Sequence, residues 1–341
     1  MLNTKSLTKK LYRWETFLVI LLLVEVVVFG LINPRFLMPR VLFGSVNNFM
    51  TISVVALFVT FVLVTGGIDI QSGAIVGLTS ITIGILWNDV GMSLPLALLM
   101  GLLVGLLCGT LSGFFVAYTD VQPMVVTLGG SFLYSGLAIL ITNFSSTEAY
   151  KGITGFPEYY SNFVRGRFFG VIPYQLVILL FFVAIAYVLL HKTRYGRYVF
   201  LCGVNRNAAC YCGIRTKRVV MSTYMISGVG AAIAGILLTA YLGTAKTDLG
   251  KEITLPVITA VVLGGTSNLG GTGGVIGTAL AAFVIGILRF GLSMANVNTQ
   301  YLDIPVGVLL VVAVAIRFAS QNPSFIRLRN KLRRRKDSVN K

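Results

Sequence analysis

Two glycine-broken stretches carry the clearest chemical signal in this chain. One reads VTGGIDIQSGAIVG, with Gly66 and Gly67 followed by Gly73 and Gly77. The other reads VLGGTSNLGGTGGVIG, with Gly264 and Gly265 followed by Gly273 and Gly277. Each places a Gly-Gly pair at the end of an apolar stretch, then a polar interval, then a Gly-x-x-x-Gly start to the next apolar stretch. Corresponding breaks in two halves of a chain point to an internal repeat around a solute pathway. Gly66, Gly67, Asp69, Gly264, Gly265 and Asn268 are therefore expected to border that pathway, together with Thr127. Hydroxyl and amide groups such as Thr65, Thr127, Thr266 and Asn268 suit a neutral, polyhydroxylated solute. The second stretch has a superficial likeness to a phosphate loop, but no lysine follows to complete GxxxxGK[ST]. If transport is driven by ATP, the ATPase must be another polypeptide.

Other reactive groups are sparse. The single histidine, His191, lies at the edge of an apolar segment, and no nucleophile–base pair is visible, so catalysis is not expected. Cys210-x-Cys212 has the spacing of half a metal site, but no second pair accompanies it. The four cysteines read as reduced and unpaired, and no metal or cofactor is expected. Glu25 lies inside an apolar run, at a cost of about 2.5–3.5 kcal/mol on insertion scales. Two readings fit it equally: a proton or cation site, or a buried hydrogen bond to a neighbouring helix. Asp69 reads as a group that orients its loop or caps the next helix.

The elements that must hold these groups are membrane helices. Of the 341 residues 56% are hydrophobic and 11% charged, and the mean hydropathy is +0.86. A water-soluble surface needs more charge than that. Apolar blocks of the length that crosses a bilayer predict ten spans, near 16–33, 48–66, 70–87, 94–117, 123–142, 172–190, 219–242, 253–268, 271–290 and 299–318. An outer-membrane barrel would instead show short alternating segments. The segments 70–87 and 253–268 are short and glycine-flanked, the pattern of re-entrant or broken helices. Gly101, Gly105, Gly109 and Gly113 recur every four residues and predict a smooth face for close helix packing. The fold class is thus all-α, a single polytopic transmembrane domain over residues 1–341.

Charge placement orients it. The basic N-terminus lacks a small-residue cleavage site and reads as the flank of a retained first span. With both termini in the cytoplasm, twenty Lys and Arg fall on inner segments and seven, Lys246 and Lys251 among them, on outer ones. Residues 1–14 and the basic tail 319–341 are then cytoplasmic, residues 143–171 form a periplasmic loop, and residues 191–218 form the one substantial cytoplasmic loop. The net charge of +17 needs no nucleic acid, because the tail IRLRNKLRRRK is explained as a topology anchor that meets anionic lipid.

Four stretches, GGIDIQSGAIVGL, VTLGGSFLYSGLAILIT, GRYVFLCGVNRNAACYCGI and ITAVVLGGTSNLGGTGGVIGT, resemble the signature segments of permease subunits of bacterial ribose-type sugar ABC importers. The resemblance runs over about residues 14 to 318. Within that family Trp14-Glu15, INPRFL, LHKTRYGR and Thr247-Asp248-Leu249-Gly250 resemble the autoinducer-2 and rhamnose permeases. The resemblance implies an inner-membrane subunit that pairs with a second permease, identical or homologous. It also implies a cytoplasmic ABC ATPase, a periplasmic solute-binding protein at the outer loop, and alternating access. It further implies that Gly203, Asn205, Arg206, Asn207, Ala208 and Ala209, followed by Gly213 and Ile214, dock on the ATPase. Family members often carry an acidic residue just before the paired alanines, where this chain has Asn207. A different mechanism remains open from the residues alone, a stand-alone secondary transporter coupled to an ion gradient through Glu25 or Asp69.

Overall fold

A computed structural model describes residues 14–145 and 151–321. The basic N-terminal segment and nearly all of the basic tail lie outside them. Fourteen α-helices are present among the described residues: α1 (Trp14–Ile32), α2 (Pro39–Gly44), α3 (Val46–Val64), α4 (Ser72–Asn88), α5 (Leu94–Tyr118), α6 (Pro123–Thr142), α7 (Glu158–Arg165), α8 (Tyr174–Tyr187), α9 (Arg194–Val204), α10 (Arg206–Tyr211), α11 (Thr216–Leu242), α12 (Thr254–Leu263), α13 (Val275–Met294) and α14 (Asp303–Gln321). Seven helical units are long and apolar enough to cross a membrane: α1, Pro39–Val64, α5, α6, Tyr174–Lys192, α11 and α13. Two shorter apolar helices, α4 and α12, and the nineteen-residue α14 occupy the remaining expected segments. The chain is an all-α polytopic membrane protein.

The layers follow from side-chain size. α3 is buried along almost its whole length and forms the centre of the bundle. α1, α6 and α8 are mostly exposed, with large apolar residues such as Leu31, Phe132 and Phe181 facing outward, as lipid contact requires. The glycine repeat of α5 packs on α11: a Cβ at Gly105, Gly109 or Gly113 would meet the backbone of Gly228, Tyr224 or Met221. Without a hydrophobic driving force in lipid, such backbone approach is what holds helices together.

α12 has ten residues and spans only about 15 Å, half of a bilayer core. The other half is supplied by non-helical chain. After α11 the backbone turns at Gly243 and runs down α4 in reverse: Ala245 faces Gly84, Lys246 N donates to Ser80 Oγ at 3.3 Å, and Thr247 and Gly250 lie against Gly77 and Gly73. The sequence reading placed Lys246 and Lys251 on an outer loop. The structure lays this stretch along α4 rather than leaving it as a free loop, so that it re-enters the helical bundle. The 143–171 loop pins its upper end, because the short strands Ile153–Thr154 and Thr244–Ala245 pair antiparallel. The described part of that loop from residue 151 onward folds onto the bundle rather than extending from it. Tyr160 Oη donates to Ile236 O at 2.7 Å, Arg165 Nε to Tyr241 O at 2.7 Å, and Trp87 stacks on Phe156. The 191–218 loop sits at the opposite end of α11.

Candidate translocation site

The two glycine breaks fold alike. α3 ends in a Schellman motif, with Gly67 N donating to Val62 O at 3.1 Å and Gly66 N to Leu63 O at 2.9 Å. α12 ends in the same motif, with Thr266 N to Val261 O at 3.2 Å and Gly265 N to Val262 O at 3.0 Å. Gly66 and Gly265 take the left-handed position that terminates each helix, at φ 81° and 96°. The structural equivalence is therefore Gly66 with Gly265, so the two Gly-Gly pairs are offset by one residue. The two breaks thus end their helices alike, with the left-handed glycine that closes many helices.

The breaks also touch one another, and the 191–218 loop touches both. Gly271 N donates to Val64 O at 2.9 Å. A Cβ on Gly66 would lie 3.3 Å from Leu269 O. Gly203, near the end of α9, packs so closely that a Cβ there would overlap Val64 O and lie 2.5 Å from Gly271 N. Gly270 in turn lies against the Gly203 carbonyl. Three polar backbone segments thus meet without side chains between them, which only glycine allows.

Side chains bolt the first break to its neighbours. Asp69 is fully buried; it accepts from Ser227 Oγ at 2.5 Å and from Gln71 N at 3.1 Å. Thr127 Oγ1 donates to Ile68 O at 3.1 Å, joining α6. Gln71 Oε1 accepts from Ser112 Oγ at 2.6 Å, and Ser112 lies 2.9 Å from Tyr134 Oη. Motif reading missed Ser112, Tyr134 and Ser227, because each is an ordinary polar residue on an apolar helix. Asp69→Ala removes an acceptor from two buried donors, which costs about 1–3 kcal/mol each when left unmet. A drop of several degrees in the thermal midpoint of the purified chain is the expected result.

The second break is held differently. Trp14 Nε1 donates to Leu263 O at 2.6 Å, and the Trp14 ring covers Gly265. His191 Nε2 accepts from Val275 N at the start of α13, at 3.4 Å. Gly264 is buried against Thr278, whereas Asn268 and Gly66 are exposed. Glu25 is buried on α1, and its Oε2 has no hydrogen-bond partner.

The loop segment 203–214 forms a short helix with a defined outward face. Asn205 caps α10, its side chain accepting from Ala208 N at 3.0 Å. Arg206 Nη2 donates to Ala117 O at the end of α5, at 3.1 Å. The paired alanines diverge: Ala209 is buried, while Asn207 and Ala208 are exposed. Tyr211, absent from the residues singled out by sequence, is 92% exposed. Gly213 takes φ 80° and turns the chain back, with Ile214 N donating to Ala209 O at 3.1 Å. On α9, burial pushes the Tyr195 phenol up to about 12, so it stays protonated in its 2.8 Å contact with Ser222 Oγ. Burial likewise raises the Cys202 thiol, with Arg206 opposing, which disfavours the thiolate a metal would need. Among the described residues no group of His, Cys, Asp and Glu is arranged to hold a metal.

Comparison with known proteins agrees with this architecture. A transport family described as "Branched-chain amino acid transport system / permease component" matches residues 41–314. The autoinducer 2 import system permease protein LsrD of Salmonella typhimurium (strain LT2) is 42% identical over 309 residues, covering 91% of this chain and 92% of the relative. LsrD of Escherichia coli O9:H4 (strain HS) is also 42% identical over 309 residues, 91% of this chain and 93% of the relative. No solved structure matches. The family match, the relatives and the polytopic bundle with paired glycine breaks agree: this chain belongs to the permease family of ribose-type sugar ABC importers, a family of non-enzymatic transport subunits.

Proposed function

We propose that this chain is the transmembrane permease subunit of an ATP-driven importer that brings a sugar-like small polar solute into the cytoplasm. Autoinducer-2, named in its relatives, is the leading candidate. The observation that carries this reading is the junction of Gly203, Val64 and Gly271. It links the 203–214 segment by backbone contact to both glycine breaks, so a displacement of that segment moves both. A separate cytoplasmic ABC ATPase docks on 203–214, through the exposed Asn207, Ala208 and Tyr211. Both termini are cytoplasmic, in keeping with the charge asymmetry, which puts the 143–171 loop at the periplasmic end to receive a solute-binding protein. A second permease, identical or homologous, completes the pathway across from the glycine breaks at 66–73 and 264–273. The membrane is the bacterial inner membrane.

Docking has a direct test. Ala208→Glu and Tyr211→Ala are each expected to reduce co-purification of the ATPase at least about tenfold while leaving the spans folded, because both positions face outward. Ala209→Glu acts differently, forcing a charge under the helix and disturbing its seat. Normal ATPase recovery with both outward variants would sink the docking assignment. Uptake that continues without ATP but needs a proton gradient, and is lost in Glu25→Gln, would replace the importer with an ion-coupled carrier.

A further inference from the structure

The segment that re-enters the bundle along α4 has two faces. One face is sealed on α4 by Gly73, Gly77 and Gly84. The other carries Asp248 and Lys251, both exposed, and leads into Thr254 at the start of α12. Opposite them on α6 stand Ser131 and Ser135, and together these residues line a cavity of about 250 Å³.

Depth decides what this face can meet. Ser131 and Ser135 are the ninth and thirteenth residues of the twenty-residue α6, about 12 and 18 Å along a helix of about 30 Å. The start of α4 lies beside them, since Gly130 abuts the Gln71 side chain, and Gly250 packs on Gly73 two residues further on. Asp248 and Lys251 therefore sit near mid-membrane. Charged groups there face protein or water rather than lipid. Non-helical backbone at that depth is tolerated only when buried in protein or lining an aqueous cavity. The cavity is smaller than the roughly 300–1,000 Å³ of enclosed ligand sites, as one wall of a path completed from elsewhere would be.

We propose that Ser131, Ser135, Asp248, Lys251 and Thr254 form a solute-contacting wall of the translocation pathway. The wall offers three hydroxyls, one carboxylate and one ammonium, donors and acceptors in close array. Its two charges are opposite and balance, so it selects for hydroxyl and carbonyl groups rather than for an ion. A small uncharged sugar-like solute fits that chemistry. The proposal rests on the importer reading and names the residues of its pathway.

Cysteine substitution on α6 tests it. Ser135→Cys and Leu133→Cys lie half a turn apart on one helix, and Leu133 is 49% exposed on the other side. In the assembled importer, a membrane-impermeant quaternary-ammonium thiosulfonate should modify Ser135→Cys at least about tenfold faster than Leu133→Cys. Peptide-level mass spectrometry resolves these sites from Cys210 and Cys212. Lys251→Met and Ser135→Trp should each cut ATP-dependent autoinducer-2 uptake at least about tenfold while the ATPase still co-purifies, and Ser135→Thr should retain uptake. Equal labelling of the two cysteines overturns the proposal. So does fast labelling of Ser135→Cys with full uptake in both Lys251→Met and Ser135→Trp. The labelling contrast needs no transport, so it stands apart from the importer reading, which fails if the unsubstituted chain shows no ATP-dependent uptake.

Discussion

Gly203→Val should leave a membrane-inserted bundle that no longer transports. The added side chain would enter the space held by Val64 O and Gly271 N, both backbone atoms that cannot rotate away. Overpacking of a tight contact costs about 1–3 kcal/mol when flexible side chains can yield, and more when they cannot. Relief must come from separating the 203–214 segment from the two breaks, because the breaks are held elsewhere. The first is tied by Asp69, Thr127 and Gln71, and the second by Trp14 and His191. The variant therefore fails in coupling rather than in folding. We expect a loss of ATP-dependent uptake of at least about a hundredfold, with the ATPase still recovered. Gly203→Ala should give an intermediate loss. Gly129→Ala is the control, since nothing lies within 4 Å of a Cβ there, and alanine favours the helix over glycine by about 1 kcal/mol. Full uptake with Gly203→Val would show that the junction carries no motion.

The family resemblance, the helical segments and the two breaks were legible from residue order, since span length and glycine punctuation are local properties. All ten expected apolar segments coincide with helices, although the ten-residue α12 is too short for a full crossing. The offset between the Gly-Gly pairs was not legible, because Thr65 and Gly264 fill the same cap position with unlike residues. Neither was the course of residues 244–253. Hydropathy registers a preference for water, and a segment beside an aqueous path at mid-membrane has the same composition as one outside the membrane. Lys246 and Lys251 therefore read as outer-loop residues. Partners distant in sequence escaped for a different reason. Asp69 and Ser227 are 158 residues apart, and nothing local marks Ser227 as the donor. In the 203–214 segment Ala208 and Ala209 are chemically identical, so only the fold separates the outward residue from the buried one.

Gly77→Val should fail earlier, at assembly. A Cβ at Gly77 would overlap the Thr247 carbonyl oxygen, and the re-entrant segment has no direction in which to retreat. Its upper end is fixed by the pairing of Thr244–Ala245 with Ile153–Thr154 and by Ala245 against Gly84. Below, Gly250 is pressed on Gly73 before α12 begins. Displacement would strip backbone groups from their places at membrane depth, where no lipid can hydrogen-bond them. A cost of about 3 kcal/mol or more follows from the rigid overlap alone. That is a large fraction of the roughly 5–15 kcal/mol by which folded proteins typically exceed their unfolded states. The expected outcome is a sharp fall in monodisperse protein on size-exclusion chromatography and a Tm lowered by at least about 5 °C in whatever survives. Thr247→Gly in the same chain should not restore it, because the obstructing atom belongs to the backbone. A folded, monodisperse Gly77→Val would mean that the segment can leave α4 freely. Residues 244–253 would then be a mobile gate, and the fixed wall of the pathway would have to be sought on α6 alone.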